Sequence, residues 1–285
     1  MVPFNNHLEN KFKLTAKQSI ASKLFPIFKH FFPNQFWYWR KILPLPIFDI
    51  ELCTDCGHGH HPLNISEKVL RDYYTSNYWY SAGETVEADD EYLTKLQCIE
   101  QFEFIQDSIP SSITEVLEIG GAHCHFSQLL RHHWKVQNLH VVEPGERWND
   151  YYKTIRIEKI SDFFPCDTQK KFDYIHTSHW LEHVSGVKNT LGEISQLLKD
   201  RGFLFIEVPN CNSEYWEVDT GVFPHLEFFT KESMTFFLEE HFNVIVIDNY
   251  GDDHLSINTG NIHQGKAKLN EKGQFLRVLA QKKPI

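Results

Sequence analysis

Three acids and a pair of histidines stand where the chain could do chemistry. The stretch Val116-Leu-Glu-Ile-Gly-Gly-Ala-His-Cys-His-Phe-Ser-Gln-Leu-Leu130 runs from an apolar segment ending in Glu118, through the small residues Gly120, Gly121 and Ala122, into an apolar pattern of helical period. This order predicts a strand, a tight turn and a helix N-terminus, where a nucleotide-like ligand can lie against bare backbone and its N–H groups. Glu143 ends the next apolar run, Leu139-His-Val-Val-Glu-Pro144, 25 residues beyond Glu118. That spacing suits a carboxylate on the neighbouring strand accepting hydrogen bonds from ribose hydroxyls. His179 and His183 are four residues apart, with Glu182 between them, in Thr177-Ser-His-Trp-Leu-Glu-His-Val184. On a helix the two imidazoles would share one face and Glu182 would lie on another. A histidine at such a position titrates near neutrality and suits a general base.

Alternating strand and helix patterns position these residues. Strands are predicted near 114–120, 138–143, 156–160, 172–177, 202–208, 242–249 and 275–281, and helices over 67–74 and 89–109. Such alternation from residue 114 onward argues for a parallel sheet covered by helices on both faces. Gly120 to Ala122, Glu143, Asp162, Thr177, Ser178 and His179 then all fall at the carboxyl ends of strands, where open α/β sheets bind ligands.

The whole chain of 285 residues has room for one large α/β domain and an accessory segment. Its net charge of −10 disfavours nucleic acid as a partner. There is no run of 18 apolar residues and no signal-peptide pattern, so a cytoplasmic protein is expected. The six cysteines are few for the length, which agrees with a reducing compartment. Residues 1–50 differ from the rest: seven Lys and Arg face two acids, leaving −15 on the remainder. The basic aromatic segment from Phe25 to Lys41 could touch an anionic membrane surface peripherally, or pack its rings on the main domain.

The first of these motifs resembles the glycine-rich turn of the class I S-adenosylmethionine (SAM) dependent methyltransferases, which reads acid-x-Gly-x-Gly-x-Gly. Here it is Glu118, Gly120, Ala122 and Cys124, with two of the three glycines replaced. The stretch Lys171-Phe-Asp-Tyr-Ile-His-Thr-Ser-His-Trp-Leu-Glu-His-Val184 resembles the fourth strand and "HxLEHV" signature of one large subgroup. Leu191 to Asn210 and His225-Leu-Glu-Phe-Phe-Thr-Lys-Glu-Ser233 are similar to the subgroup's next two blocks, in order. The resemblance spans roughly residues 114–250. It implies a Rossmann-like, seven-stranded α/β sheet with helices on both faces, closed by an antiparallel edge hairpin, after an N-terminal accessory segment. The expected units are an arm over 1–50, an accessory module over 51–110 and a SAM-binding domain over 111–285.

By the same resemblance, Glu118 and Gly120, with Gly121 and Ala122, border the methionine part of SAM. Glu143 holds the ribose, and Asp162 sits where the adenine amino group is read. Thr177 and Ser178 are further cofactor-site candidates from their place at a strand end. His179 is the first candidate for a base. His225, the second catalytic candidate, and Asn210, with Tyr215 or Trp216, are expected on the acceptor side. The subgroup methylates small molecules, notably sugars, so a small-molecule acceptor with a sugar hydroxyl is the first expectation. The rival reading is a non-catalytic scaffold that keeps the fold but has a degenerate cofactor loop, motivated by Ala122 and Cys124. Tyr78, Trp79 and Tyr80 could form a lid.

Two metal readings remain. Cys53 and Cys56 have the spacing of a zinc knuckle, and the subgroup often carries a Cys-rich module, but no cysteine precedes them, so a site would have to recruit His58, His60 or His61. His-x-x-Glu-His over 179–183 also resembles a zinc-hydrolase motif. The sequence shows no third ligand for it, so no metal is expected there, and Glu182 and His183 are expected to hold the next loop.

Overall fold

A computed structural model describes residues 11–15, 49–61, 67–76, 88–213, 215, 225–253 and 270–284. The basic aromatic segment, the Tyr78–Tyr80 lid and Trp216 lie outside them. The large sheet contains β4 (Glu115–Ile119), β5 (Asn138–Val142), β6 (Glu158–Ser161), β7 (Phe172–Ser178), β8 (Leu198–Pro209), β10 (Phe242–Asp253) and β11 (Gly273–Lys282), ordered β10-β11-β8-β7-β4-β5-β6. Five strands run parallel; β11 pairs antiparallel with both β8 and β10. The seven-stranded sheet and its edge hairpin are thus as the sequence led one to expect.

Strand alternation explains the two-faced core. On β4, Leu117 and Ile119 face one layer and Val116 the other; on β7, Ile175 and Tyr174 divide in the same way. One layer buries Leu191, Ile194 and Leu197 of α5 (Val187–Leu197) and Met234, Phe237 and Leu238 of α6 (Lys231–Leu238). The opposite layer buries Phe102 and Ile105 of α2 (Ala88–Ile105), Phe126 and Leu130 of α3 (His125–Trp134), and Tyr152 of α4 (Asn149–Ile155). α2 stops at Ile105, four residues earlier than its pattern suggested; Ser108 and Pro110 follow, and the Ile109 N–H closes a last turn on the Ile105 carbonyl at 3.1 Å. β8 instead begins earlier than expected, at Leu198, which pairs with Phe172; a register irregularity that includes Arg201 at φ 59° separates this pair from Tyr174–Phe203.

A second, smaller sheet was not foreseen. β1 (Lys11–Thr15), β2 (Asp49–Cys53), β3 (Gly59–His60) and β9 (Glu227–Phe228) pair antiparallel in that order. Glu227 fastens it, accepting from His58 Nε2 at 2.9 Å and His60 Nδ1 at 3.0 Å. Thr230 caps α6 in a reciprocal box with Ser233, and its hydroxyl also donates to the Cys56 carbonyl at 2.6 Å. Two of the histidines that could have completed a zinc knuckle are therefore committed to Glu227. Among the described residues, no histidine or acid joins Cys53 and Cys56 in a cluster compact enough for a metal ion.

Candidate functional site

A cavity of about 330 Å³ opens at the carboxyl ends of β4, β5, β6 and β7, where β5 and β7 flank β4 and the chain order reverses. Gly120 and Ala122 form one rim. Glu143 and Asp162 follow from the ends of β5 and β6, and His179 from the end of β7. The far wall is α1 (Glu67–Ser76), through Leu70, Arg71 and Tyr74, and the start of α5, through Asn189, Thr190 and Glu193.

The turn after β4 takes left-handed backbone at three alternate positions, only the first of which is glycine. Gly120 has φ 75°, Ala122 φ 41° and Cys124 φ 50°. Each left-handed non-glycine residue costs about 1–2 kcal/mol. Compensation comes from packing and hydrogen bonds. The Cys124 side chain is fully buried, the Tyr152 hydroxyl donates to the Ala122 carbonyl at 2.7 Å, and the Ala122 N–H donates to Glu143 at 3.2 Å. Gly121 is needed for space: a Cβ there would lie 2.8 Å from both Cys124 Sγ and Val141 Cγ2.

Glu118 is buried behind the turn. It accepts from the Ser127 N–H and hydroxyl at the first turn of α3, and it does not line the cavity. Burial pushes its carboxyl up to about 7, against the lowering pull of the Ser127 hydrogen bonds, and nearby Glu143 adds to the rise. Glu143 does line the cavity. Its two oxygens accept from the Ala122 and Gly145 N–H groups, at 3.2 and 3.1 Å. Asp162 lines the cavity too, paired with Lys159 at 2.7 Å. Gly121, Thr177 and Ser178 are not among the lining residues. Thr177 is fully buried, and Ser178 donates to Glu207 at 3.2 Å.

Beneath the rim lies a charged network that sequence reasoning missed. Glu207 of β8 is fully buried and accepts from Arg277 Nε, Gln97 and Gln101; Arg277 also reaches Glu100 at 3.2 Å. Burial alone would raise the Glu207 carboxyl, but Arg277 and His179 hold it below the ordinary value. The sequence signal was the polar spacing Gln97, Glu100 and Gln101 beside the apolar Cys98, Phe102 and Ile105 of one helix.

His179 and His183 do not share a helix face. His179 stands alone at φ 51°, and a single 3-10 turn, Leu181–His183, follows it. Glu182 therefore points inward as a hub rather than lying on another face. Its Oε1 is 3.4 Å from His179 Nδ1, 3.9 Å from His183 Nε2 and 4.0 Å from His225 Nε2. Burial opposes ionisation of Glu182, but the histidines bring its carboxyl down to about 2. Burial lowers His179, and Glu182 and Glu207 outweigh it, so that its basicity rises. Burial and His183 pull His225 down to about 3, against Glu182. His225 adjoins this hub and is not a lining residue, while Asn210 and Tyr215 are buried, Asn210 donating to the Gly273 carbonyl at 2.7 Å.

A methyltransferase-domain family model matches residues 90–251, more than half of the 285-residue chain. This chain belongs to the methyltransferase-domain family. No curated protein sequence matches it. Among solved structures, a SAM-dependent methyltransferase of Thermotoga maritima, described as a possible histamine N-methyltransferase, superposes with a TM-score of 0.51 at 18% identity over 68% of this chain and 94% of its own. Coclaurine N-methyltransferase bound to N-methylheliamine and S-adenosylhomocysteine gives 0.51 at 15%, over 70% and 75%. A SAM-dependent methyltransferase of Clostridium acetobutylicum gives 0.50 at 10%, over 72% and 98%. These likenesses establish the Rossmann-like fold of SAM-dependent methyltransferases. Among the described residues, no helix of this methyltransferase is long and apolar enough to cross a membrane.

Proposed function

We propose that this methyltransferase moves a methyl group from SAM to a hydroxyl of a small polar molecule, a sugar in the first instance. The observation that carries the reading is the cavity itself. Its volume, about 330 Å³, lies in the range of roughly 300–1,000 Å³ usual for small-molecule sites. One side offers bare backbone at Gly120 and the Glu143 carboxylate, which suit a ribose and its substituents. The other offers Arg71, Tyr74, Asn189, Thr190 and Glu193, a set of donors and acceptors suited to a polyhydroxylated acceptor.

SAM, when bound, supplies an activated methyl group that passes in line from sulfur to the acceptor. The protein's part is then to orient and to handle a proton. Glu143 would accept the ribose hydroxyls, and Asp162 would meet the base. The α1 and α5 side chains would fix the acceptor, and Trp180, packed against Gly120, would exclude water between them. His179 would take the hydroxyl proton as the oxygen–carbon bond forms. Glu182 and Glu207 stabilise the imidazolium that results.

The test is incubation with SAM and a panel of sugars, glycosides and amines, with S-adenosylhomocysteine and methylated product followed by mass spectrometry. A hydroxyl-methylated sugar is expected, with turnover falling about 10²–10⁴-fold in His179→Ala. Product only from amines would overturn the hydroxyl reading. The N-methyltransferases among the structural relatives make that the outcome to look for.

A further inference from the structure

Glu182 is a buried carboxylate, 1% exposed, and neither of its oxygens has a hydrogen-bond partner. Buried carboxylates are costly unless paired and hydrogen-bonded, and an unsatisfied one in a folded protein points to an ion or water at the site. The nearest imidazole nitrogen is Nδ1 of His179, an ion-pair partner at 3.4 Å. Two further imidazoles stand at ion-pair distance. Nε2 of His183 is 3.9 Å away and Nε2 of His225 is 4.0 Å away. Nδ1 of His225 is likewise buried without a hydrogen-bond partner. The ligand atoms of Glu182, His183 and His225 all lie within 4.8 Å of one another.

The backbone holds these three side chains together. The Leu226 N–H donates to the Glu182 carbonyl at 2.7 Å, the His61 N–H donates to the Leu226 carbonyl at 2.8 Å, and the His183 N–H closes the turn on the Trp180 carbonyl at 3.0 Å. The His183 and His225 rings meet edge to face at 4.8 Å. Three segments far apart in sequence are thus fixed around one carboxylate.

We infer that Glu182, His183 and His225 form a binding site for a divalent transition-metal ion, zinc in the first instance. Two imidazoles and one carboxylate suit zinc and its neighbours in the first transition row, whereas magnesium and calcium favour all-oxygen shells. Zinc bonds of about 2.0–2.1 Å in a tetrahedron put ligand atoms roughly 3.4 Å apart, so the Glu182–imidazole separations need a contraction of roughly half an ångström and the two imidazoles, within 4.8 Å, one of up to about 1.4 Å. Three protein ligands leave a fourth position open. His183 lines the cavity, so that position adjoins the space for an acceptor. The site rests on the cluster alone; only its role toward an acceptor hydroxyl, as a Lewis acid holding the oxygen, rests on the proposed methyl transfer.

Cobalt(II), a zinc substitute with visible absorption, is the probe. The full-length protein, stripped with chelator and shown folded by circular dichroism, is titrated with Co²⁺ and then displaced with Zn²⁺. Saturation at one ion per chain, with bands of a low-coordinate nitrogen and oxygen site, is expected. His225→Ala and Glu182→Gln should each weaken binding at least tenfold. His225→Gln, closer in shape, serves if the alanine variant does not fold. SAM titration of the same samples separates the two ideas: SAM binding without cobalt binding overturns the metal site and leaves the methyl-transfer reading standing. Cobalt binding unchanged in all variants would place the ion elsewhere on a chain with 17 histidines and also overturn the inference.

Discussion

At the scale of single residues, the cofactor turn is a case of retained geometry with altered chemistry. Ala122 and Cys124 adopt the left-handed conformation that glycine would adopt without strain. Ala122→Gly should therefore stabilise the protein by up to about 1 kcal/mol, since relief of the strained backbone exceeds the extra freedom glycine gives the unfolded chain. Cys124→Gly should do the opposite, because it empties a fully buried position. Denaturant unfolding of both variants checks the pair; equal shifts would mean the strain is not where the backbone angles put it. Glu118 makes a second prediction. Its carboxyl is raised from 4.5 to about 7 in the folded protein, so between those values the native state binds a proton that the unfolded state has lost. Stability from this group falls as pH rises from about 4.5 to about 7 and then levels, a loss of order 3 kcal/mol. Glu118→Gln keeps an acceptor for Ser127 and should lack this decline. The difference in unfolding free energy between wild type and variant, measured at pH 5, 6 and 7, isolates it. Glu118 and Glu143 were legible in the sequence because each ends an apolar run. The hub role of Glu182 was not, because a helix and a 3-10 turn aim the same side chain in different directions.

At the scale of elements, the strands of the large sheet were legible because apolar period and burial coincide along β4, β5 and β7. The small sheet was not: β3 and β9 have two residues each, and the His58–Glu227 contact spans 169 positions. No local pattern encodes a pairing of that range. The Glu207–Arg277–Glu100 network joining α2, β8 and β11 was hidden for the same reason. Arg277→Met should destabilise by about 3–5 kcal/mol by leaving Glu207 buried and uncompensated, and the double variant with Glu207→Gln should recover much of that. Urea unfolding of the cycle gives the coupling; additive effects would contradict it. The close approach between the β4 turn and β5 yields another prediction. Gly121→Ala forces a Cβ into Cys124 Sγ and Val141 Cγ2, and should cost about 1–3 kcal/mol of stability together with ligand affinity.

At the scale of the whole molecule, the cavity lies between the strand ends and α1, which precedes the parallel part of the sheet in the chain. The wall proposed for the acceptor is thus built largely by Arg71 and Tyr74 of α1 and by Asn189, Thr190 and Glu193 of α5, none of which a strand-end motif could reveal. The rim residues Gly120, Ala122 and Glu143 were readable from strand ends in the sequence, and the α1 and α5 wall was not. Everything proposed for the site depends on the cofactor side still working with Ala122 and Cys124 in its turn. The most direct test is isothermal titration of the folded protein with SAM and with S-adenosylhomocysteine. Binding of both in the micromolar range is expected, weakened at least tenfold in Glu143→Ala. No binding of either ligand would contradict it and favour a scaffold that has kept the methyltransferase fold without its cofactor.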